Sequence, residues 1–522
     1  MTDLPKAYNP KETEEKIYKL WEESGYFNPD NLPERHQEPY TIIMPPPNAN
    51  APLHVGHALG MTIEDILIRY HRMKGRKALW LPGTDHAGFE TQVVFEKKLE
   101  KEGRSRFKMT REEFYKECWD FVQANKHTTE QGIRRLGASC DWSRNTFTLD
   151  PKVVEIVYET FEQMHKDGLV YRGERIANWC PKHQTGLSDL EVKDEERTDK
   201  FYYLKYGPFV IATVRPETKF GDKYVVMHPD DKRYAEYKNG QKIDLEWING
   251  PITATVIKDS AVDMTFGTGV MTITPAHDAT DFEIAERHVL DKEQIIDLRG
   301  KLLPIAGEFA GIKITEAREK IIEKLASKGL VDHIDENYRH SVRMCYKCST
   351  LIEPQVMPQW YVKMDGLRDM AVKAIHDKKV KIVPERFEKV FLHWMENIRD
   401  WPISRQIWWG IPIPEKYYSS DDPTRGQETF DTWFSSGQWP YATLQALGKK
   451  DFETYFPTEI LETGWDILFF WVARMIMFSY YKLGKAPFHT VYLHGLVRDK
   501  DRQKMSKSKG NVVTPDHLLE QY

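Results

Sequence analysis

The sequence predicts an α/β fold in which an open parallel sheet is split by an inserted β-rich domain. An apolar, β-branched segment at 40–44 leads through a Pro/Asn loop into helical spacing, and a second apolar segment lies at 77–83. The same strand-to-helix pattern returns after 425, and the intervening stretch between 198 and 338 is rich in strands. For a chain of 522 residues we expect about three or four domains.

Composition places the chain among globular proteins and limits its partners. Apolar residues make up 40% and charged residues 29%, and the net charge of −5 argues against a uniformly basic nucleic-acid binder. The first residues lack the apolar core of a signal peptide, which predicts a cytoplasmic chain. The apolar run at 467–477 is too short and too charged to span a bilayer. Five cysteines in so long a chain do not indicate a disulfide framework.

Changes in pattern along the chain set the expected domain boundaries. A lead-in helix carries Ile17, Leu20, Trp21 and Tyr26 on one face, which predicts that it docks on a core. We expect the N-terminal helix and lead-in at 1–37, the first half of the sheet domain at 38–175, a connection at 176–197 and 339–358, the insertion at 198–338, a return segment at 359–424 and the second half of the sheet domain at 425–522.

Two imidazoles stand where the first strand gives way to a helix. His54 and His57, with Gly56 between them, follow the loop PPPNANAPL. In an open α/β sheet this edge binds phosphates and nucleotides, and imidazole donors beside a helix N-terminus suit phosphate oxygens. On its own the pattern is equally compatible with two surface imidazoles or a fragment of a metal site.

A basic loop follows the last predicted strand, at 489–496. Lys504, Lys507 and Lys509 alternate with two hydroxyls and precede a glycine. Mobile ammonium groups suit a triphosphate, whose leaving pyrophosphate gains charge in the transition state. A solvated basic loop is the alternative, but two such motifs in this order, each after a strand, are far more specific than either one.

Twelve segments together resemble the class I aminoacyl-tRNA synthetases, from about Tyr8 to the last residue. HVGH and KMSKS are similar to the two signatures of that family, and the wording of SDLEV and TGWDILFFWVARM is typical of its valine-specific members. The resemblance implies a Rossmann-type catalytic domain. The remaining segments are PPPNANAPL, GTDHAG, NWCPKHQTG, VRPET, ITPAHDATDFEI, IEPQVMPQWYVKM, ISRQIWWG and DTWFSSGQWP.

The resemblance implies an ATP site, with Mg²⁺, and an adjoining amino-acid pocket. No covalent enzyme intermediate is needed, because catalysis would consist of positioning and charge stabilisation. Asp85 would pair with the α-ammonium of valine, and Pro45, Pro46, Asn48 and Trp433 would shape the pocket, although Trp433 could be an ordinary core tryptophan. The implied catalytic and ATP-binding residues are His54, His57, Lys504, Lys507, Gly56, Gly464, Asp466, His494, Gly495 and Ser506.

The insertion resembles the editing domain of the same family. A hydrophobic pocket separates valine from threonine by only about 10², a figure already established for valine-specific enzymes of this family, so a second, hydrolytic site is expected. Val214 stands where the family usually carries a hydroxyl residue, and an insertion kept for fold or RNA docking alone is the alternative. The implied editing residues are Thr213, Arg215, Glu217, Thr218 and Asp281.

Two half-sites with the spacing of metal ligands flank the insertion. Cys180-x-x-His183 and Cys345-x-x-Cys348 could close one tetrahedral zinc site at its root. Two unrelated pairs of small residues in turns are the alternative. Cys118 and Cys140 lack such spacing and are expected to be buried or free thiols.

The remaining expectations concern partners. The resemblance implies a monomer that binds valine and the acceptor end of tRNA and contacts no membrane. The family's anticodon-binding region has no counterpart before Tyr522, which predicts weak tRNA charging by this stretch. The alternatives are an isoleucine-specific synthetase, a standalone amino-acid adenylating protein, and a nucleotide- or RNA-binding regulator that has lost catalysis.

Overall fold

The computed structural model describes residues 8–503, 505, 511 and 513–521. Helices and strands alternate through the first and last parts of the chain, and strands dominate the middle. The helices are α1 (Pro10–Glu23), α2 (Val55–Met73), α3 (Gly88–Lys101), α4 (Arg111–Arg135), α5 (Pro151–Lys166), α6 (Ala279–His288), α7 (Ile314–Ser327), α8 (Asp365–His376), α9 (Arg386–Glu396), α10 (Thr432–Ser436), α11 (Trp439–Leu447), α12 (Lys449–Tyr455), α13 (Ala473–Leu483) and α14 (Pro515–Gln521).

Strands of two to fifteen residues complete the architecture. They are β1 (Pro39–Ile43), β2 (Lys77–Leu81), β3 (Gly83–Thr84), β4 (Thr146–Phe147), β5 (Val170–Cys180), β6 (Thr185–Leu187), β7 (Val192–Tyr206), β8 (Phe209–Thr213), β9 (Tyr224–Met227), β10 (Lys242–Trp247), β11 (Gly250–Lys258), β12 (Val270–Thr272), β13 (Val331–Cys345), β14 (Glu353–Val362), β15 (Lys381–Val383), β16 (Trp401–Pro402), β17 (Ser404–Arg405), β18 (Thr429–Phe430), β19 (Thr458–Gly464) and β20 (Phe488–His494).

The chain divides into two compact units. Unit 1 combines residues 1–171 with 361–522, and unit 2 comprises 172–360. The predicted limits of the insertion, 198 and 338, fall inside the long strands β7 and β13.

A five-stranded parallel sheet forms the centre of unit 1, in the order β15-β20-β19-β1-β2. The predicted parallel sheet is therefore confirmed, and β1 from the first half lies directly beside β19 from the second. Ile42 and Ile43 of β1 are buried and β-branched, as are Thr458 and Thr463 of β19, which suits strands covered on both faces. The carboxyl ends of β1, β19 and β20 consequently meet at one edge.

Helix α4 of unit 1 begins at a cap that the sequence supplies. Thr110 and Glu113 form a reciprocal capping box at the start of α4, and the helix buries Phe114, Cys118 and Val122 on one face. After β19, the segment GWDILFFWV passes through a 3₁₀ turn (Trp465–Ile467) and a wider π turn before α13. Such π turns are frequent at functional sites.

Helix α1 corrects one expectation about the lead-in. None of its residues is buried, and the predicted docking face is largely solvated, with Leu20 66% and Tyr26 51% exposed. Contact with the rest of unit 1 comes from Tyr18, whose hydroxyl donates to the carbonyl of Ala138 at 3.0 Å, and from the guanidinium of Arg69, which lies over Trp21. The apolar spacing thus predicted the helix but not its buried side.

Unit 2 is built mainly from antiparallel strands. β13, β7 and β8 form one sheet, in which pairing runs from Val331 opposite Leu204 to Cys345 opposite Val192. A second sheet has the order β10-β11-β9-β12. A core that includes Tyr206, Trp247 and apolar residues of α7 fills the unit, so the predicted β-rich insertion has a hydrophobic core of its own.

None of the helices in the described part of the chain combines the length and apolarity needed to cross a bilayer.

Candidate nucleotide and amino-acid site

His54 caps helix α2 with its own ring. Its Nδ1 accepts hydrogen bonds from the backbone N–H groups of Gly56 and His57, at 3.1 and 3.3 Å, while Nδ1 of His57 accepts from the N–H of His54 at 3.1 Å. The two rings stack with centroids 3.8 Å apart. Because both Nδ1 atoms are acceptors, neutral rings must carry their protons on Nε2. The pair therefore offers two Nε2–H donors.

The first backbone N–H of α2 is also satisfied. Val55 donates to the carbonyl of Val513 at 3.1 Å, so the segment that follows the basic loop lies against the start of α2. Backbone N–H groups that were expected to help hold an anion are thus engaged within the protein, and the imidazoles supply the donors instead. The predicted residues Lys504, Ser506 and Lys507 lie outside the described residues.

The ends of β19 and β20 bring the predicted adenosine-binding residues together. Gly464 is paired with His494 in the parallel register. A Cβ added at Gly464 would lie 2.5 Å from Oδ1 of Asp466 and 3.7 Å from Nε2 of His494. Only glycine fits between these groups. Gly495, which follows β20, is exposed at the same edge.

Two buried carboxylates lie beneath this edge, and sequence reasoning missed both. Glu462 of β19 is 1% exposed and its Oε1 accepts a hydrogen bond from Nδ1 of His494. Glu64 of α2 is fully buried and accepts from the indole N–H of Trp80 at 2.8 Å. Burial, followed by the charge of Glu462, raises the pKa of Glu64 well above its usual range.

Asp85 lies in a polar pocket at the end of the β2 segment. Its Oδ1 accepts from the N–H of Ala87 at 2.9 Å and from the hydroxyls of Thr148 and Thr432 at 3.1 and 3.3 Å. The backbone of Asp85 also pairs with the loop after β1, through Pro47 and Ala49. The carboxylate is therefore buried, oriented and hydrogen-bonded before any ligand arrives, as a partner for an ammonium group should be.

The other predicted pocket residues border Asp85. The amide of Asn48 donates to Oε2 of Glu90 at 2.8 Å, and Asn48 forms an isolated bridge with Asp85. Trp433 follows Thr432 on α10; it is only half-buried, with its ring 5.3 Å from Phe470. Pro45 and Pro46 are half-buried at the end of β1. Asn48 and Thr432, the residue before Trp433, thus contact Asp85 directly, whereas Thr148 and Glu90 escaped prediction because their motifs carry no recognisable chemistry.

Unit 2 holds the predicted editing residues in a network of buried charges. Arg215 donates to Glu217 at 3.1 Å and to Glu353 at 2.5 Å, and Arg318 also pairs with Glu217. Glu217 is completely buried. The hydroxyl of Thr213 accepts from the N–H of Arg215 at 3.0 Å. Arg215 and Glu217 therefore stabilise the turn, while Glu353 is a partner that the VRPET motif alone could not reveal.

Asp281 lies in the same unit beside a buried lysine. Its Oδ2 accepts from the N–H of Thr274 at 2.7 Å, and burial, followed by the charge of Asp278, raises its pKa to about 7. Lys219, 6% exposed, donates to the hydroxyl of Thr272 at 3.1 Å, and its charge opposes part of the rise at Asp281. Thr218 donates to the carbonyl of Arg215 at 3.0 Å. A lysine inside the buried turn PETKFGD was the signal that sequence reasoning overlooked.

Three of the four predicted metal ligands converge in unit 2, and the fourth, His183, hydrogen-bonds to one of them. The thiols of Cys180, Cys345 and Cys348 lie within 4.8 Å of one another, with 3.7 Å between Sγ of Cys180 and Sγ of Cys348. Hydrogen bonds from Cys180, Cys345 and His183 lower the pKa of Cys348. Three convergent thiols and an imidazole on paired turns fit tetrahedral zinc, with one ligand set and no spare position for substrate. Cys118 and Cys140 are buried and free in unit 1.

Comparison with known proteins gives a family match and a likeness of fold. The sequence model of the family described as tRNA synthetases class I (I, L, M and V) matches residues 16–424 and 415–522. Among solved structures, the LeuRS–tRNA–LeuAMS ternary complex from Agrobacterium radiobacter K84 aligns over 99% of this chain and 71% of that chain, with a TM-score of 0.53 and 16% identity. At that identity the likeness concerns the fold alone.

Curated relatives are more similar in sequence. The valine–tRNA ligase of Dehalococcoides mccartyi is 46% identical over 547 residues, which cover 100% of this chain and 62% of the relative. The enzymes of the same name from Symbiobacterium thermophilum and Geobacter sulfurreducens are 44% and 42% identical, covering 100% of this chain and 60% and 61% of theirs. The chain thus spans about three fifths of the length of these relatives, and the family match across almost all of it places the chain in the class I tRNA synthetases that act with isoleucine, leucine, methionine or valine.

Proposed function

We propose that the chain activates valine with ATP to form valyl-adenylate and transfers the valyl group to tRNA(Val). The observation that carries this proposal is the meeting of three sets of groups at one edge of the unit 1 sheet. They are the Nε2–H donors of His54 and His57, the glycine-lined cleft beside Asp466 and His494, and the buried carboxylate of Asp85.

Each set has a distinct part in the proposed reaction. Asp85 pairs with the α-ammonium of valine, which places the amino-acid carboxylate for attack on the α-phosphate of ATP. His54 and His57 donate to phosphate oxygens as charge develops on the departing pyrophosphate, with Mg²⁺ accompanying the ATP. Asp466 accepts from the ribose hydroxyls, and Gly56, Gly464 and Gly495 leave room for the adenosine.

Amino-acid-dependent exchange of pyrophosphate into ATP tests the proposal. We expect exchange with valine, weaker exchange with threonine or isoleucine, and no requirement for tRNA. His57→Asn should depress exchange strongly, because it removes a phosphate donor, whereas His71→Asn on the same helix should not. His71 stacks on Tyr40 at the far end of α2, with 3.6 Å between centroids.

The alternatives give different results in the same assay. Exchange strongest with isoleucine would indicate an isoleucine-specific synthetase, and no exchange with any amino acid would leave a nucleotide- or RNA-binding protein. Exchange with valine but no transfer to tRNA would favour an adenylating protein with another acceptor. Charging of tRNA(Val) by the chain is measured in parallel.

A second proposed activity is hydrolysis of threonyl-tRNA in unit 2. It is supported by a buried carboxylate, Asp281, that could hold the α-ammonium of threonine, next to the ordered turn that contains Thr213, Arg215 and Thr218. Deacylation of threonyl-tRNA(Val) by the chain, lost in Asp281→Ala, is expected. Absence of deacylation by the unmodified chain would favour an insertion kept for fold or RNA docking.

We also propose one structural zinc ion, held by Cys180, His183, Cys345 and Cys348. The ion would tie together the two turns and would supply no chemistry to either reaction. Metal analysis after purification without chelator should give one equivalent of zinc per chain. A value well below that would contradict the assignment.

A further inference from the structure

The buried carboxylate of Glu462 contacts His494, a proposed nucleotide-binding residue. Glu462 lies on β19 two residues before Gly464, so both residues face the same side of the sheet. His494, the partner of Gly464 in the adjacent strand, directs Nδ1 towards Oε1 of Glu462. An ionised carboxylate can only accept a hydrogen bond, so beside an ionised Glu462 the Nδ1 atom of His494 carries a proton.

We propose that Glu462 is a positioning residue of the nucleotide site, which fixes the ring orientation and tautomer of His494 so that Nε2 faces the adenosine cleft. The proposal rests on the ATP-dependent function proposed above. With the proton held on Nδ1, the neutral ring presents Nε2 as an acceptor beside Gly464 and Asp466. A ring that turned over would present a carbon at that place instead.

Helix α2 packs closely against the carboxylate of Glu462. A Cβ added at Gly60 would lie 2.8 Å from Oε2 of Glu462 and 3.6 Å from Cε1 of His494. Gly60 and Glu64 are one turn apart and lie on the same face of α2 as His57. The absence of a side chain at Gly60 therefore leaves the space that the Glu462 carboxylate fills, beneath the phosphate-binding end of the same helix.

Glu64 of α2 is a second buried carboxyl group close to Glu462. Burial raises the pKa of Glu64, and the charge of Glu462 raises it further. Glu64 accepts from Trp80 through Oε2, and Oε1 has no hydrogen-bond partner among the residues that the structure describes. Ionising both buried carboxylates is costly; Glu462 contacts an imidazole, whereas Glu64 contacts the indole N–H of Trp80. The groups facing the cluster are Glu64 and Asp65 of α2, Trp80 of β2, His494 of β20 and Asp466 after β19.

Glu462→Gln tests the role without changing the shape of the side chain. We expect the affinity for ATP to fall about ten- to a hundredfold, the range for losing a hydrogen bond to a charged group. The KM for valine should stay as in the unmodified chain, because Asp85 and its partners are untouched. The nitrogen chemical shifts of His494 should change as well, since the carboxylate that fixes its tautomer is gone.

Glu459→Gln is the matched control. Glu459 lies on the same strand and is also largely buried, but it accepts from the backbone N–H of Thr41 and does not contact His494. This variant should keep the ATP affinity and the His494 nitrogen chemical shifts of the unmodified chain. Gly60→Ala is a second variant, which alters no charge. It should weaken ATP binding by displacing the Glu462 carboxylate, even if Glu462→Gln fails to fold.

Direct titration of the 522-residue chain with ATP separates this inference from the proposed function. If the unmodified chain binds ATP but shows no valine-dependent exchange, the proposed function fails, and the ATP affinities of the variants still decide the role of Glu462. Nitrogen chemical shifts of His494, assigned with His494→Gln, should show the proton on Nδ1. Unchanged ATP affinity in both Glu462→Gln and Gly60→Ala, or a proton on Nε2, would overturn the inference.

Discussion

The two units hold their polar groups in opposite ways. In unit 1, His54, His57, Asp466 and His494 stand at the ends of strands and at the start of a helix, and most are half-buried. In unit 2, Arg215 and Glu217 are locked in ion pairs inside the protein, next to Asp281. A site that must admit a highly charged nucleotide needs donors at an open edge. A site that receives one ammonium group can use a buried carboxylate.

Asp85 is the exception to this contrast between the units, because it gives unit 1 a buried carboxylate of its own. Asp85→Asn should cost about 3–5 kcal/mol of transition-state binding, the range for removing one partner of a buried charge pair. Valine-dependent exchange should therefore fall by at least about a hundredfold. Glu90→Gln, which alters the neighbouring carboxylate that orients Asn48, should have a much smaller effect. Equal losses in the two variants would contradict the role of Asp85.

Cys345→Ser tests whether the two units are independent in stability. Loss of a structural metal site should lower the free energy of unfolding of unit 2 by about 3 kcal/mol or more. Zinc content should drop while valine-dependent exchange in unit 1 persists. The control is Cys140→Ser, which alters a buried thiol in unit 1 and should leave the zinc content unchanged. A simultaneous loss of exchange in Cys345→Ser would show that the units are coupled.

The pH dependence of deacylation sharpens the contrast further. Asp281 has a pKa raised to about 7, so it is mostly protonated below that pH and ionised above it. Only the ionised form can pair with an ammonium group, so hydrolysis of threonyl-tRNA should rise by up to about tenfold per pH unit between about pH 5 and 7. Because the pKa of Asp281 is higher in the folded than in the unfolded chain, this group stabilises the fold at low pH. That contribution is lost as the pH rises through about 7.

Asp281→Asn should abolish this rise with pH. Asp263→Asn is the control, because Asp263 lies in an exposed turn of the same unit and its pKa is lowered by hydrogen bonds from Thr265. A pH profile in Asp281→Asn that keeps the rise would assign the titration to another group, such as Asp222, whose pKa is raised to about 6 by burial.

The smallest expected effect concerns the hydroxyl of Thr432. Thr432→Val removes one of the bonds to Asp85, at 3.3 Å, and should cost about 0.5–1.5 kcal/mol in valine binding. The KM for valine should rise a few-fold with little change in kcat. Thr148→Val should cost more, because its hydroxyl also serves the N–H and ring of the buried His86. The reverse order would mean that Thr432 is the main support of Asp85.

Sequence reasoning reached the parts of the fold that local patterns specify. The expected strand at 40–44 forms at Pro39–Ile43, and the strand expected at 489–496 forms at Phe488–His494. The edge where His54, Asp466 and His494 meet follows from the rule that parallel strands share a carboxyl edge. The solvated face of α1 did not follow, because apolar spacing does not say whether a partner surface exists.

Residues that support other side chains could not be predicted from local sequence patterns. Glu462 and Glu64 occupy ordinary strand and helix positions, and their relation appears only when β19 packs against α2. Lys219 was hidden for a similar reason, since a lysine in a turn is usually solvated. Glu353 supports Arg215 from a strand far along the chain. Motifs mark the residues that meet a ligand, while the residues that hold them are set by tertiary packing.

The neighbouring positions of β1 and β19 have a consequence for the order in which the protein forms during synthesis. β1 leaves the ribosome early, but one of its two edges is paired only by β19, and the amide of Val55 finds its acceptor only at Val513. Unit 2 lies wholly between these partners and can fold while the sheet of unit 1 is still open. The entropic cost of closing a loop grows only logarithmically with the number of residues in the loop. Folding of unit 2 within the loop shortens its flexible part further. The pairing of β1 with β19 and the hydrogen bond from Val55 to Val513 therefore form only after the whole of unit 2 has been synthesised.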